Sequence, residues 1–295
     1  TQVPCTVQEE VTFPKEDIRF DNGDMQLTIN IRTGLVDHYT AAGVEYVSNG
    51  AFAPVLYQDS PDPWYMTKNC FPQKLGVFAL TEARRAHRYS DGAEILVPAV
   101  RIVENGAVRM LVEAEFIWGR SRLVQTYCLP KAGTSFEIMQ DIFWNEADTM
   151  LKLEIPAAFK GDYLGQGMFG SGSLPQDGTE CVSQKWCGLF GEKHALTICN
   201  SGIYGSHCVG STISLSLLRA SAYAAHPIGA RPLVQEERFI PRMDQGAHHL
   251  HFSICGGDAG VRRKCVDMEA QVLNEAPFIF SAFPSGEGAM PKPTL

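Results

Sequence analysis

Three histidines fall within four residues at His248-His249-Leu250-His251. In an extended strand the side chains alternate between faces, so His249 and His251 share one face and could ligate a metal, while His248 points the other way. Two donors do not complete a metal site, and no third ligand is fixed to them by spacing. A solvated strand face is the better reading of the triplet. The carboxylates Glu9-Glu10, Glu236-Glu237 and Asp244 read one by one as surface charges, because the separation that paired acid and nucleophile require is a distance in space, not in sequence. Gly165-Gln166-Gly167-Met168-Phe169-Gly170 has the glycine spacing of a dinucleotide loop. It runs into Ser171-Gly172-Ser173-Leu174-Pro175 and opens no helix, so it reads as a glycine-rich β-loop. No GxSxG elbow, P-loop or HExxH motif is found.

Nine cysteines, an odd number with no CxxC spacing, give neither a zinc ribbon nor a thioredoxin-like motif. They point to a reducing, cytoplasmic setting with the thiols reduced. Several, such as Cys199 in Leu196-Thr197-Ile198-Cys199, sit in apolar runs where a free thiol serves as a small core side chain.

The elements that must position these groups are strands. In Met25-Gln26-Leu27-Thr28-Ile29-Asn30-Ile31 every second residue is apolar, and Asn22-Gly23 and Thr33-Gly34 supply flanking turns. Residues Glu94 to Trp118 form a long antiparallel hairpin in this reading, turning at Asn105-Gly106 as a type I′ turn, with Val108, Met110, Val112, Ala114 and Phe116 on one face. Period-two runs recur at Arg122–Leu129, Ser135–Trp144, Leu151–Ile155, Ile213–Leu217 and Leu250–Ile254. The one candidate helix is Val261 to Asn274, where Cys265, Met268 and Val272 are loosely helical in spacing, and an extended linker fits as well. Proline-rich 229–241 and 284–295 read as a long loop and a tail. A run of strands without intervening helices excludes doubly wound and (β/α)-barrel folds. The fold class is therefore all-β, a large antiparallel β-sandwich over residues 1–260, with 261–295 as a linker and tail leading toward a further small β region.

Composition sets the outer bounds. With 45% hydrophobic and 20% charged residues the chain is globular in type, and 25 basic against 33 acidic residues give −8. The single short basic run Arg262-Arg263-Lys264 cannot track a phosphate backbone, which argues against nucleic acid as a partner. No apolar run reaches the ~18–20 residues that span a bilayer. The start at Thr1-Gln2-Val3-Pro4 has no leader-like pattern, and its lack of Met suggests a chain trimmed from a longer one.

Six short motifs follow one another along the chain: Asp62-Pro63-Trp64; Phe143-Trp144-Asn145-Glu146 leading to Leu151-Lys152-Leu153-Glu154-Ile155-Pro156; Gln184-Lys185-Trp186; Ala195-Leu196-Thr197-Ile198-Cys199-Asn200 with Tyr204-Gly205; Leu215-Ser216-Leu217-Leu218-Arg219; and Asp244-Gln245-Gly246-Ala247-His248. In this order they resemble the C-terminal portion of glycoside hydrolase family 38 α-mannosidases of the bacterial and cytosolic-type branch. The resemblance implies a supersandwich similar to the galactose mutarotase-like fold. It also implies that the catalytic zinc, its ligands and the nucleophilic carboxylate belong to an N-terminal barrel, followed by a helical bundle, that this chain does not contain. No catalytic residue and no metal ligand carries over to this sequence.

What remains for the chain is the rim of a sugar pocket. Asp62 can accept hydroxyl hydrogen bonds and Trp64 can stack on a sugar face, with Pro61 and Pro63 stiffening the approach, and Asp244, Gln245 and Gly246 form the second candidate loop. A Trp64 that caps the core is the plainer alternative, and Trp144 and Trp186, inside strand runs, read as core. The implied partners are the barrel and bundle of a longer parent and α-mannoside glycans, with homo-oligomerisation left open. Two other classes share the fold: a mutarotase-type epimerase built on His249 or His251 and a carboxylate, and an autonomous lectin-like module with an aromatic-lined groove.

Overall fold

Alternation of small apolar and polar residues, punctuated by glycine turns, leaves this chain little to form except antiparallel strands. A computed structural model of it describes residues 13–59, 69–87, 91–222 and 241–279. Every strand pair in the three larger sheets is antiparallel. The largest sheet runs, in spatial order, Val100–Asn105, Arg109–Trp118, Ser121–Pro130, Ser135–Trp144, Gly246–Asp258, His194–Asn200, Trp186–Phe190, Asp162–Gln166 and Ser171–Ser173, with Ala79–Leu80 beside Arg109–Trp118. A second, six-stranded sheet runs Cys181–Val182, Gly205–Val209, Thr212–Arg219, Thr149–Pro156, Ala53–Gln58 and Lys74–Val77. A four-stranded sheet from Ile18 to Glu45 and the ribbon of Arg84–His87 with Glu94–Val97 complete the described strands.

One continuous core joins these sheets. It holds Phe136, Ile138 and Ile254 from the largest sheet, Leu56, Leu151, Leu153 and Leu215 from the six-stranded sheet, and Leu27 and Ile29 from the smallest of the three. Trp144 and Trp186 are both buried, and Tyr39 and Phe52 each pack edge-on to Phe136. Each fully buried side chain of this size contributes about 1.5–3 kcal/mol by leaving water.

The expected strands recur with small shifts of their ends, and the turn glycines Gly23 and Gly34 have φ of 88° and 71°, the left-handed conformation that glycine adopts without strain. The hairpin after Val100 differs from the reading in its turn. The Gly106 amide donates to the Arg109 carbonyl at 3.0 Å, so Ala107 and Val108 form the tip and Asn105-Gly106 does not. A bulge between Ile102 and Glu104 moves the turn along by taking up a residue, and Val108 becomes exposed while Met110, Val112, Ala114 and Phe116 stay inward. Glu94–Val97 pairs with Arg84–His87 and is no part of this hairpin.

The segment after the last strand is a helix, Ala259–Asn274. Asp258 caps it, accepting from the Val261 amide at 2.9 Å. Its buried face is Ala259, Arg262, Val266 and Ala270, whereas Met268 and Val272 are exposed. Of the apolar residues that suggested a helix, Met268 and Val272 thus point outward and Cys265 is half-buried. The inward face rests on Arg262, whose guanidinium donates to Thr197 Oγ1 at 2.7 Å and pairs with Glu269. Residues 280–295 and, but for Pro241, the 229–241 stretch lie outside the described residues. No helix of the described residues is long and apolar enough to cross a membrane.

Candidate functional site

The loop end of the six-stranded sheet is assembled from three chain segments. Asp244 adopts φ 55°, which a short polar side chain tolerates better than most, and its carboxylate accepts the Arg219 backbone N–H at 3.1 Å. Arg219 closes its strand and reaches the buried Asp59 with two parallel bonds, Nε at 3.0 Å and Nη2 at 2.6 Å. Gln245 Nε2 donates to the Glu146 and Met243 carbonyls, and His248 Nε2 donates to the Asp244 carbonyl at 2.7 Å. Gly246 has φ 111° with open space where a Cβ would sit, so it serves the bend of the chain and not a close contact. Beside them Asp148, also left-handed at φ 54°, pairs with Arg242 at 3.0 Å.

Asp244, Gln245 and Gly246 are therefore brought together with Arg219 and Asp59. Asp62 and Trp64 lie outside the described residues. Three polar atoms at this end, Trp144 Nε1, Asp148 Oδ1 and Thr149 Oγ1, are buried with no hydrogen-bond partner among the described residues. Buried polar atoms in folded proteins are ordinarily satisfied.

The histidine face is different in kind. His249 pairs with Asp141 and His251 with Glu137 on the neighbouring Ser135–Trp144 strand, and the His249 and Asp141 side chains are 81% and 60% exposed. These are cross-strand surface pairs. Glu137 is held below the usual carboxylate range, chiefly by its bond to His251. No three His, Cys, Asp or Glu among the described residues are grouped so as to hold a metal ion. All eight described cysteines are free thiols, and burial pushes the Cys187 and Cys199 thiols up to about 12, far from reactive thiolates.

A cluster that the sequence reading passed over lies on the outer face of the six-stranded sheet. Lys152, with a wholly buried side chain, pairs with Glu180 and places Nζ 2.8 Å from His207 Nδ1 and 2.9 Å from Ser216 Oγ. Ser216 in turn donates to Glu180 Oε2 at 2.9 Å. His207 Nδ1 thus lies within hydrogen-bond distance of both Lys152 Nζ and Glu180 Oε1, the latter at 3.0 Å. Burial holds Lys152 below the usual lysine range, opposed by Glu180. For Glu180 burial is the largest influence and acts upward, but the bonds from His207, Lys152 and Ser216 together bring it below the usual range.

The chain belongs to the family described as glycosyl hydrolases family 38 C-terminal domain, whose model matches residues 20–227. An α-mannosidase from Enterococcus faecalis V583 superposes with a TM-score of 0.62 at 11% identity, covering 90% of this chain and 32% of that one. A glycosyl hydrolase family 38 protein from Enterococcus faecalis gives 0.63 at 11% identity over 90% and 33%. This chain thus spans about a third of their length, and at such identity the likeness is one of fold. A galactose mutarotase-like protein from Lactobacillus casei ATCC 334 aligns at 10% identity over 82% of this chain and all of that one, with a TM-score of 0.40. No curated protein sequence matches the chain.

The family motifs turn out to be joints of the fold. Asn200 accepts turn amides from Gly202 and Ile203 and donates to the Gln184 carbonyl, while Lys185 accepts the Asn200 amide, and Trp186 Nε1 reaches Asp267 on the helix at 2.7 Å. Glu146 accepts from Ser121 Oγ at 2.8 Å and the Arg120 amide at 3.1 Å.

Proposed function

We propose that this chain is the noncatalytic β-domain of a longer, zinc-dependent α-mannosidase-type glycoside hydrolase, and that Asp244, Gln245 and Gly246, with Asp62 and Trp64, form part of the rim of its sugar pocket. The parent would be cytoplasmic, with α-mannoside glycans as substrates and a catalytic barrel and helical bundle as the partners of this domain. In a retaining glycosidase one carboxylate attacks the anomeric carbon and a second serves as acid and then base. Neither role is assigned to this chain.

The observation that carries the rim reading is the Asp244 turn itself, which holds Asp244 and Gln245 exposed at the loop end of the six-stranded sheet. The turn is also stiff, because Arg219 and Gln245 tie it to two strands, and stiffness is what a rim contact needs.

The test is kinetic and uses the longer protein. Trp64→Ala and Asp244→Asn should each lower kcat/KM toward an aryl α-mannoside by roughly 5–150-fold, about 1–3 kcal/mol, with unchanged thermal unfolding. Wild-type kinetics in both would refute the rim role. The 295-residue chain alone should neither hydrolyse the aryl mannoside nor retain stoichiometric zinc, and chelator-resistant turnover would overturn the noncatalytic assignment.

A further inference from the structure

One member of the buried Lys152 cluster, His207, lines an open cleft. On the outer face of the six-stranded sheet a cavity of ≈ 660 Å³ is lined by Tyr57, Lys74, Glu154, Asp177, His207 and Ser214 among others. That volume lies within the range of small-molecule sites. We infer that this cleft is a binding site for a neutral polyhydroxylated ligand, a sugar ring or polyol, distinct from the Asp244 turn. The inference rests on the lining and not on the rim reading above.

This lining residue is preorganised. His207 is 95% buried by its 5% exposure, its Nδ1 is held by Lys152 and Glu180, and its Nε2 has no hydrogen-bond partner among the described residues. A ring nitrogen with no partner inside the fold, on a residue that lines the cleft, is a fixed polar atom that donates or accepts according to tautomer, and such an atom at a cleft wall is a recognition element. Glu154 takes the Tyr57 hydroxyl and Lys74 Nζ, the latter at 2.7 Å, so one ammonium and one carboxylate are already bound to each other. Asp177 is exposed, with one oxygen turned to the Thr179 amide at 3.0 Å.

The choice of ligand follows from this tally. An anion would find Lys74 as the cation of the named wall, and Lys74 is engaged with Glu154. A cation would find Glu154 neutralised by Lys74 and Asp177 as a single exposed carboxylate. A hydroxyl both donates and accepts, so adjacent hydroxyls can donate to Asp177 or Glu154 while exchanging hydrogen bonds with His207 or Ser214. Pro72 and Pro156 add apolar wall against which ring carbons can pack.

The measurement is a titration of the ¹⁵N-labelled 295-residue chain with mannose, glucose and myo-inositol, and separately with inorganic phosphate and with methylammonium, following the His207 ring nitrogens. At least one polyol should shift His207 Nε2 saturably with Kd on the order of 1 mM, while phosphate and methylammonium do not. Thr212→Trp at the half-buried wall should weaken binding at least about tenfold, and Asp177→Asn, on an exposed turn that puts folding at no risk, by several-fold. Asp244→Asn should leave it unchanged, which separates this site from the rim. No shift with any polyol to about 50 mM, a response to phosphate or methylammonium in place of the polyols, or full affinity in Asp177→Asn would each overturn the inference.

Discussion

Two charge clusters sit on the same six-stranded sheet and are held in opposite ways. The Arg219–Asp59 pair stands where a strand runs into loops, and Arg219 keeps 26% of its side chain in water. The Lys152–Glu180 pair stands mid-strand under a covering turn, with the Lys152 side chain wholly buried. Losing Asp59 at the loop end leaves a cation that water can still reach. Losing Glu180 at mid-strand leaves the Lys152 charge with nowhere to go, and an unpaired buried ion is the more expensive defect by several kcal/mol.

The largest expected effect therefore belongs to Glu180→Ala, which should destabilise the chain by about 3–5 kcal/mol in urea unfolding. The double variant Lys152→Met/Glu180→Leu should recover most of that loss, because it removes the desolvation of both ions together. Asp59→Ala should cost less, about 1–3 kcal/mol. Equal losses for Glu180→Ala and Asp59→Ala would break the comparison.

Acid sharpens it. The folded pKa of Glu180 lies below its unfolded value of about 4.3, so its contribution is fully present above that pH and is lost as pH falls through the folded value. Unfolding midpoints of the wild type should fall across that window by more than those of Lys152→Met/Glu180→Leu. Parallel acid limbs in the two proteins would mean that Glu180 is not held as described.

How much of this was legible beforehand follows the same divide. Period-two alternation is a local signal, and it located the strands from Met25 to the His248–His251 run because each inward residue is read from its own neighbours. The Asp244 turn was legible for a similar reason, since Asp-Gln-Gly states its conformation in three letters. The tip at Ala107-Val108 was not, because a bulge at Ile102/Glu104 shifts register without a residue type that announces it. The helix was read from Met268 and Val272, while Arg262, a charge, supplies its buried face only through Thr197 and Glu269. The Lys152 cluster escaped altogether. Lys152, Glu180, His207 and Ser216 are scattered over 65 positions, and on alternation alone Lys152 belongs to a solvated face. Only the turn that lays Glu180 across that face, tied by its amide to the Asn69 carbonyl at 2.7 Å, buries it.

The smallest expected effect tests the turn itself, at Asp244. Two properties of this residue stabilise the turn: a left-handed φ of 55°, and a carboxylate oxygen accepting the Arg219 amide. Asn keeps both, since it tolerates the left-handed region and its amide oxygen is an acceptor, so Asp244→Asn should change stability by no more than about 0.5 kcal/mol. Gly keeps the conformation and loses the acceptor, a loss of about 0.5–1 kcal/mol for an exposed bond. Ala loses the acceptor and also pays the steric penalty of a Cβ at positive φ, so it should fall furthest, by about 1–2 kcal/mol. The order Asn, Gly, Ala in thermal unfolding would establish that the turn is shaped by this side chain. Indistinguishable values for Asn and Ala would mean that Gln245 alone holds the turn, through its bonds to the Glu146 and Met243 carbonyls, and that the Asp244 carboxylate is free to serve a ligand.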